Sequence, residues 1–234
     1  MKKALGTCLS PLACLWIAVC LLLAGCGASK PIPDWLSSSH SQMESYQKYY
    51  LIGNDKLAVL RFQDALEEIK TSGDLEILAR AYLIRMAMQT AALKDLDSAE
   101  FLKIDAVAPS LRNRSYYAFL KGETGQVDGK LLPEQYAGFI KVLDRDDKSG
   151  RLREIEAMKD ASSQLIAIGV LVRKNQESEE LLQKAVTIAS AQGWKKALLA
   201  YLEKLKLYYA GKGDKAKVLE IEQRLELIKD KAEK

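Results

Sequence analysis

Apolar residues recur every three or four positions through most of this chain, which is the spacing of an α-helix rather than a β-strand. Near the C-terminus the pattern is clearest, with apolar residues at Val218, Ile221, Leu225 and Ile228. Strictly alternating β-branched runs joined by Asn-Gly turns, which would indicate hairpins, are absent from the sequence. The sequence therefore predicts an all-α fold.

Between residues 49 and 65, small and aromatic residues have a spacing that a single amphipathic helix does not require. These residues are Tyr49, Gly53, Ala58, Phe62 and Ala65. Two antiparallel helices approach closely where small residues lie at the crossing, and a large ring fills the space beside it. We interpret Ala58 and Ala65 as close-approach points, Tyr49 and Phe62 as the fillers, and Gly53 as the turn between two helices.

This spacing resembles the tetratricopeptide repeat (TPR), a pair of helices that stacks into a solenoid with a concave partner-binding surface. Weaker copies of the pattern follow along the chain at Ala87, Ala99, Ala106, Ala185, Tyr209 and Gly213. Equivalent positions recur at about forty residues, longer than the roughly 34 residues of the standard repeat. The resemblance implies an α-solenoid of about four to five antiparallel helix pairs.

The repeats are predicted to fall into two blocks, because the middle of the chain is rich in glycine. Residues 42–120 form the N-terminal TPR-like repeats, and residues 151–234 form the C-terminal repeats and a capping helix. Five glycines, the first Gly122 and the last Gly150, lie in this segment together with Pro133. Residues 121–150 are therefore predicted to be an irregular or hinge segment with one degenerate repeat centred near Leu143.

The N-terminus has the organisation of an export signal. Lys2 and Lys3 precede an apolar stretch that ends in small residues before Cys26. The run from Leu23 to Cys26, Leu-Ala-Gly-Cys, resembles the lipobox of bacterial lipoproteins, which implies cleavage after residue 25 and acylation of Cys26. The alternative is an uncleaved membrane anchor, which the small residues before Cys26 disfavour. Residues 26–41, rich in Ser and Pro, are predicted to be a flexible tether.

By the same resemblance, Gly27 indicates the periplasmic face of the outer membrane, because Asp at that position is the signal for retention in the inner membrane.

The formal net charge of +4 on 234 residues provides no basic footprint for nucleic acid. One histidine and four cysteines, three of them within the signal, leave no zinc ligand set in the mature chain. We therefore predict no metal, no cofactor and no catalytic residues.

The expected function is docking of an unidentified protein partner in envelope assembly, such as the outer-membrane protein, secretin, pilus or cell-wall machinery. If Tyr49 is in the core, then Met43, Gln47 and Tyr50 face the concave side of the first repeat, although packing against the next helix is the alternative for Tyr50. An envelope enzyme acting on peptidoglycan would instead need a cleft with an acidic pair of perturbed pKa. A solute-binding lipoprotein would need a closed pocket of several hundred cubic ångströms.

Overall fold

The prediction of an all-α fold is confirmed. The computed structural model describes residues 32–229, and in that range it contains eleven α-helices and no strand. The helices are α1 (Asp34–Ile52), α2 (Asp55–Ser72), α3 (Leu75–Ala91), α4 (Ala99–Val107), α5 (Leu111–Lys121), α6 (Phe139–Val142), α7 (Lys148–Glu156), α8 (Ala161–Arg173), α9 (Glu179–Ala191), α10 (Lys195–Gly211) and α11 (Lys215–Lys229). Cys26 and the predicted export signal lie outside the described residues.

Helices α1 and α2 form an antiparallel pair around the predicted turn. Gly53 has a φ of +94°, and the side chain of Asn54 caps α2 by accepting a hydrogen bond from the Leu57 amide at 3.2 Å. Ala58 is 2% exposed and Ala65 is fully buried, so both lie at the interface of the pair. Their small size lets the two helices approach closely.

The most deeply buried ring beside this crossing belongs to Tyr46, whereas Tyr49, which was predicted for that role, packs against the core as a partly buried side chain. Tyr46 is 3% exposed and its ring centroid lies 5.0 Å from that of Phe62, whereas Tyr49 is only partly buried. Residues three apart lie about 60° apart around a helix, so a modest rotation of α1 exchanges one tyrosine for the other.

The predicted tether is shorter than expected, because α1 already begins at Asp34. Ser38 donates a hydrogen bond to Glu68 on α2 at 3.0 Å, and Ser39 is buried and donates to the carbonyl of Leu36 at 3.0 Å. These contacts with α2 and within α1 override the weak helix preference of a serine-rich segment. Residues 34–41 therefore belong to the folded unit.

The register predicted for the second repeat is also wrong. Ala99 and Ala106 are exposed on α4, whereas Phe101 is 1% exposed and packs against Tyr117 with ring centroids 4.8 Å apart. Phe101 lies about 200° around the helix from Ala99. Burial of the large ring turns the alanine side of α4 towards solvent, since an aromatic side chain removes far more apolar area from water than an alanine does.

The segment between α5 and α7 is irregular, as its glycines indicate. It contains two 3₁₀ turns, Thr124–Gln126 and Glu134–Tyr136, and the four-residue helix α6. The degenerate repeat expected near Leu143 is not a helix pair, because Tyr136, Phe139 and Leu143 instead anchor the segment individually in the core. Short apolar anchors separated by glycines hold a loop in place without regular structure.

Helix α8 is the centre of the fold. Its residues from Leu165 to Leu171 are all buried, so it is surrounded on every side. Gly169 brings α8 against the end of α3, where an added methyl group would overlap the backbone carbonyl of Thr90. In this region the closest helix crossing depends on a glycine, not on the alanines of the predicted pattern.

The C-terminal helices α9, α10 and α11 pack in antiparallel succession. Ala185 is fully buried, Tyr209 is 3% exposed, and Gly213 turns the chain with a φ of +73°. Helix α10 also packs against α1, where the Lys196 ammonium lies 4.1 Å from the ring centroid of Tyr50. Because α1 contacts α10 and α3 contacts α8, the expected array in which each pair touches only its neighbours is not confirmed.

Candidate partner-binding grooves

The three residues predicted to face a partner are separated by the structure. Met43 is 5% exposed and belongs to the core, so its assignment to a partner surface is wrong. Gln47 and Tyr50 are half-buried and line two different grooves, with α3 between them. The face of α1 that was expected to be free is not open at Met43, since α1 packs against α2, α3 and α10.

The first of these, which we call the central groove, has a volume of about 410 Å³ and is formed by α3, α5, α8, the irregular segment and Gln47 of α1. Its floor is apolar and consists of Leu83, Ile84, Met88 and Ile166. Its walls add tyrosine and neutral polar side chains, including Tyr116, Gln135 and Ser163. The lining also contains the charged side chains of Arg80, Arg112 and Asp160. Tyrosine, amide and aliphatic groups are suited to polypeptide, since they combine burial with neutral hydrogen bonding.

Hydrogen bonds hold the polar wall of the central groove in position. Asn113, which is 2% exposed, donates from Nδ2 to the carbonyl of Glu76 at 3.3 Å. Gln135 donates from Nε2 to Ser163 Oγ at 3.4 Å, and Ser163 donates onward to Asp160 Oδ2 at 2.8 Å. Because each of these side chains is tied to a helix or its cap, the wall is preorganised.

Asp160 is the N-cap of α8 and is therefore a structural carboxylate. It accepts a bond from the Ser163 amide at 2.7 Å in addition to the hydroxyl bonds. Partial burial raises the pKa of this carboxyl, but the bonds from Ser162 and Ser163 outweigh burial and hold the pKa below its usual value. Asp160 stays ionised at neutral pH and is poorly suited to act as a general acid.

The two tyrosines in the central groove are also unsuited to acid–base chemistry. Burial raises the pKa of Tyr116 to about 12, although a hydrogen bond with Tyr136 opposes the rise. Burial also raises the pKa of Tyr136 well above its usual value, and neighbouring Tyr116 adds to the effect. Both hydroxyls keep their protons at neutral pH, so they present neutral hydrogen-bonding groups.

The second groove, which we call the aromatic groove, lies on the other side of α3 and has a volume of about 380 Å³. Four of its residues, Tyr50, Tyr46, Phe62 and Tyr82, form a chain of rings whose successive centroids are 5.7, 5.0 and 5.6 Å apart. Arg85 lies over the last two rings, 5.3 Å from the centroid of Phe62 and 5.2 Å from that of Tyr82. Its Nη2 donates to Asp97 Oδ2 at 2.5 Å.

A third groove, between α9, α10 and α11, has a volume of about 520 Å³, but its main polar groups bond to one another. Glu179 accepts bonds from Lys217 Nζ and from the Tyr209 hydroxyl, both at 2.8 Å. Gln183 donates to the same hydroxyl at 2.9 Å. This network ties α9 to α10 and α11, and we interpret it as structural.

Residues 32–229 contain five carboxyl groups with a shifted pKa. The carboxyl groups whose pKa departs from the usual value are all lowered by hydrogen bonds or ion pairs, and they are Asp144, Asp147, Asp160, Glu179 and Glu203. The same range contains no cluster of three His, Cys, Asp or Glu side chains able to hold a metal ion. His40 is 75% exposed and lies 3.7 Å from Glu44 on the surface of α1.

Sequence reasoning found Gln47 and Tyr50 but missed most of each groove. The adjacent tyrosines Tyr116 and Tyr117 are a local signal of rings on a helix, but they do not indicate that a groove lies beside them. Gln135 and Ser163 have no local signal, because tertiary packing brings them together from the irregular segment and from α8.

Comparison with known proteins supplies no further assignment. Neither a protein-family model, nor a curated protein, nor a solved structure matches the chain. From residue 32 to residue 229, none of the helices has both the length and the apolar character needed to cross a membrane. The geometry of the grooves therefore carries the functional argument.

Proposed function

We propose that this protein is a membrane-anchored adaptor that docks a segment of a partner protein in its central groove. The observation that carries the proposal is the composition of that groove, in which an apolar floor lies beside a fixed wall of amide and hydroxyl groups, and Arg80, Arg112 and Asp160 are the charged residues of its lining. A partner segment would bury apolar side chains on Leu83 and Ile84 and bond to the wall through its backbone.

We further propose that the pairs α1–α2, α9–α10 and α10–α11 are degenerate TPR-like hairpins, with the central helices as an insertion between them. Buried alanines at Ala65 and Ala185 and positive-φ glycines at Gly53 and Gly213 support this interpretation. The lipobox-like residues before Cys26 support acylation of that residue, and Gly27 after it supports attachment to the periplasmic face of the outer membrane. The chain between Cys26 and the start of α1 is short, so such an anchor would hold the grooves near the membrane surface.

Photo-crosslinking tests the docking proposal in intact membranes. A photoreactive phenylalanine analogue at Gln135, and in a second variant at Gln47, should give an adduct with the same partner, because both residues line the central groove. The control position is Glu226, which is exposed on α11 and does not line the central groove. Adding Ile84→Glu should abolish the adducts by placing a charge on the apolar floor.

The proposal fails if neither groove position forms an adduct, if Glu226 forms the same adduct equally well, or if Ile84→Glu leaves the adducts unchanged in a folded protein.

A second candidate function, binding of a small solute, is favoured by the volume of the central groove, since small-molecule pockets measure about 300–1,000 Å³. That function predicts no adduct at Gln47 or Gln135 and a raised melting temperature with individual compounds of a solute screen.

Lipidation gives a separate prediction. Cys26→Ser should release the protein from the membrane fraction or leave it with an uncleaved signal, because each buried methylene of an acyl chain contributes about 0.8 kcal/mol to attachment. The measurements are membrane fractionation and intact mass, with Cys20→Ser as the matched control. An unchanged mass and an unchanged membrane fraction for Cys26→Ser would contradict acylation at this residue.

A further inference from the structure

The aromatic groove contains two buried donors that have no hydrogen-bond partner in the described part of the chain. Tyr46 is 3% exposed, and its hydroxyl has no hydrogen-bond partner among residues 32–229. The same holds for Nε of Arg85, although the outer nitrogen of that guanidinium is bonded to Asp97. Both residues line the groove. Buried polar atoms without a partner are rare in folded proteins, because each carries an uncompensated loss of hydration.

Tyr201 shows how the hydroxyl of another buried tyrosine in the same fold is satisfied. Tyr201 is fully buried, and its hydroxyl donates to the backbone carbonyl of Leu165 at 3.0 Å. Burial raises the pKa of both Tyr46 and Tyr201 well above the usual value, so both hydroxyls keep their protons. Tyr201 thus has an acceptor supplied by its own chain, whereas Tyr46 is a protonated donor without one.

The charges around the aromatic groove determine which acceptor suits these donors. Asp55, Asp97 and Glu100 line it, and Arg85 is already paired with Asp97. A carboxylate entering the groove would meet acidic neighbours and would gain little from an arginine that is already neutralised. An uncharged carbonyl oxygen accepts the same bonds without that repulsion.

The apolar surface beside the donors determines what should accompany the carbonyl. Val59 is 56% exposed at the edge of the groove, and Phe62, Ala58 and Leu66 lie on its floor. An aliphatic side chain seated there would remove this surface from water. A backbone carbonyl next to an aliphatic side chain is the repeating chemistry of a polypeptide.

We propose that the aromatic groove is a second binding site, which takes an uncharged, aliphatic segment of a partner polypeptide with a backbone carbonyl accepting from the Tyr46 hydroxyl. The site lies across α3 from the central groove and involves different residues, so it adds to the proposed function and does not depend on docking in the central groove.

The test uses the full chain purified in detergent, with N-acetyl-leucine-N-methylamide as the probe. This compound has two carbonyls, one aliphatic side chain and no charge. Methyl-labelled alanine and leucine should show the chemical shifts of Ala58 and Leu66 moving on titration to millimolar concentrations. Tyr46→Phe should weaken this binding about fivefold, the effect of losing one neutral hydrogen bond. N-acetyl-leucine, which ends in a carboxylate, should bind more weakly than the amide.

Melting temperatures without the probe supply the control for structure. Tyr46→Phe should melt at a higher temperature than the native chain, because it removes a buried donor that has no partner. Tyr201→Phe should melt at a lower temperature, because it breaks the bond to Leu165. A binding defect in a stabilised protein cannot result from loss of fold.

Each opposite outcome overturns the proposal. In the titration, the contradicting outcomes are absence of binding by the amide probe, equal or tighter binding of the carboxylate probe, and chemical-shift changes confined to residues outside the groove. An unchanged affinity of Tyr46→Phe for the amide probe would also contradict it. In the melting experiment, the contradicting outcome is a lowered melting temperature for Tyr46→Phe. None of them bears on crosslinking at Gln47 and Gln135, so this site and the central groove can fail independently.

Discussion

Ala65→Arg is expected to unfold the α1–α2 pair. Ala65 is fully buried where the two helices cross, so the new side chain has no space and its charge has no partner. Changes of this kind belong to the small class that costs more than about 4 kcal/mol. For a chain of this size, the loss corresponds to a fall in melting temperature of roughly 10 °C or more. Thermal unfolding followed by circular dichroism measures it.

The matched controls are Ala99→Arg and Ala106→Arg. The TPR-like register placed these alanines in the same role as Ala58 and Ala65, but the structure exposes both on α4. Exposed substitutions of this kind change stability by about 0.5 kcal/mol or less. If Ala99→Arg and Ala106→Arg were as damaging as Ala65→Arg, the orientation of α4 described above would be wrong, whereas a normal melting curve for Ala65→Arg would contradict the α1–α2 crossing.

Gly169→Ala should also destabilise the protein, although it adds a single methyl group. That methyl would overlap the carbonyl oxygen of Thr90 and lie 2.9 Å from its Cγ2, and a backbone oxygen cannot rotate aside. Overpacking of a core costs about 1–3 kcal/mol, and we expect the upper end here. The better helix propensity of alanine recovers about 1 kcal/mol, leaving a net loss of about 2 kcal/mol. Gly169→Leu should prevent folding.

Gly211→Ala is the control for this prediction. Gly211 is also helical, but nothing lies within 4 Å of the position its Cβ would occupy. Alanine there should be neutral or stabilise the protein by up to about 1 kcal/mol. The two alanine variants should therefore shift the midpoint of denaturant unfolding in opposite directions. A gain of stability in Gly169→Ala would show that α3 and α8 are farther apart than described.

The helices themselves could be predicted because their signals are local. The step of three or four residues, the glycine and asparagine after α1, and the buried alanines of α2 all act within one hairpin. The same pattern failed at α4, since Phe101 competes with Ala99 and Ala106 for the core and lies on another face of the helix. Burial of one large ring decides how a short helix is rotated about its axis. A rule based on the spacing of small residues does not take that ring into account.

The three residues of α1 that were predicted to face a partner show the same limit of prediction from local spacing. Met43, Gln47 and Tyr50 lie within about 60° of one another, so they share one face in any model of the helix. Whether that face is open depends on α3 and α10, which come from distant parts of the chain. In the folded chain Met43 is buried, and Gln47 and Tyr50 lie in separate grooves.

Side-chain spacing along the chain specifies where helices form and where they turn, because those features depend on neighbours a few residues away. Long-range contacts specify that α8 is central, that α10 meets α1, and that Gln135, Ser163 and Tyr116 line one groove. Buried area and unsatisfied donors depend on which surfaces meet in three dimensions, and no local spacing carries that information. The grooves, and the proposals built on them, are consequences of this packing.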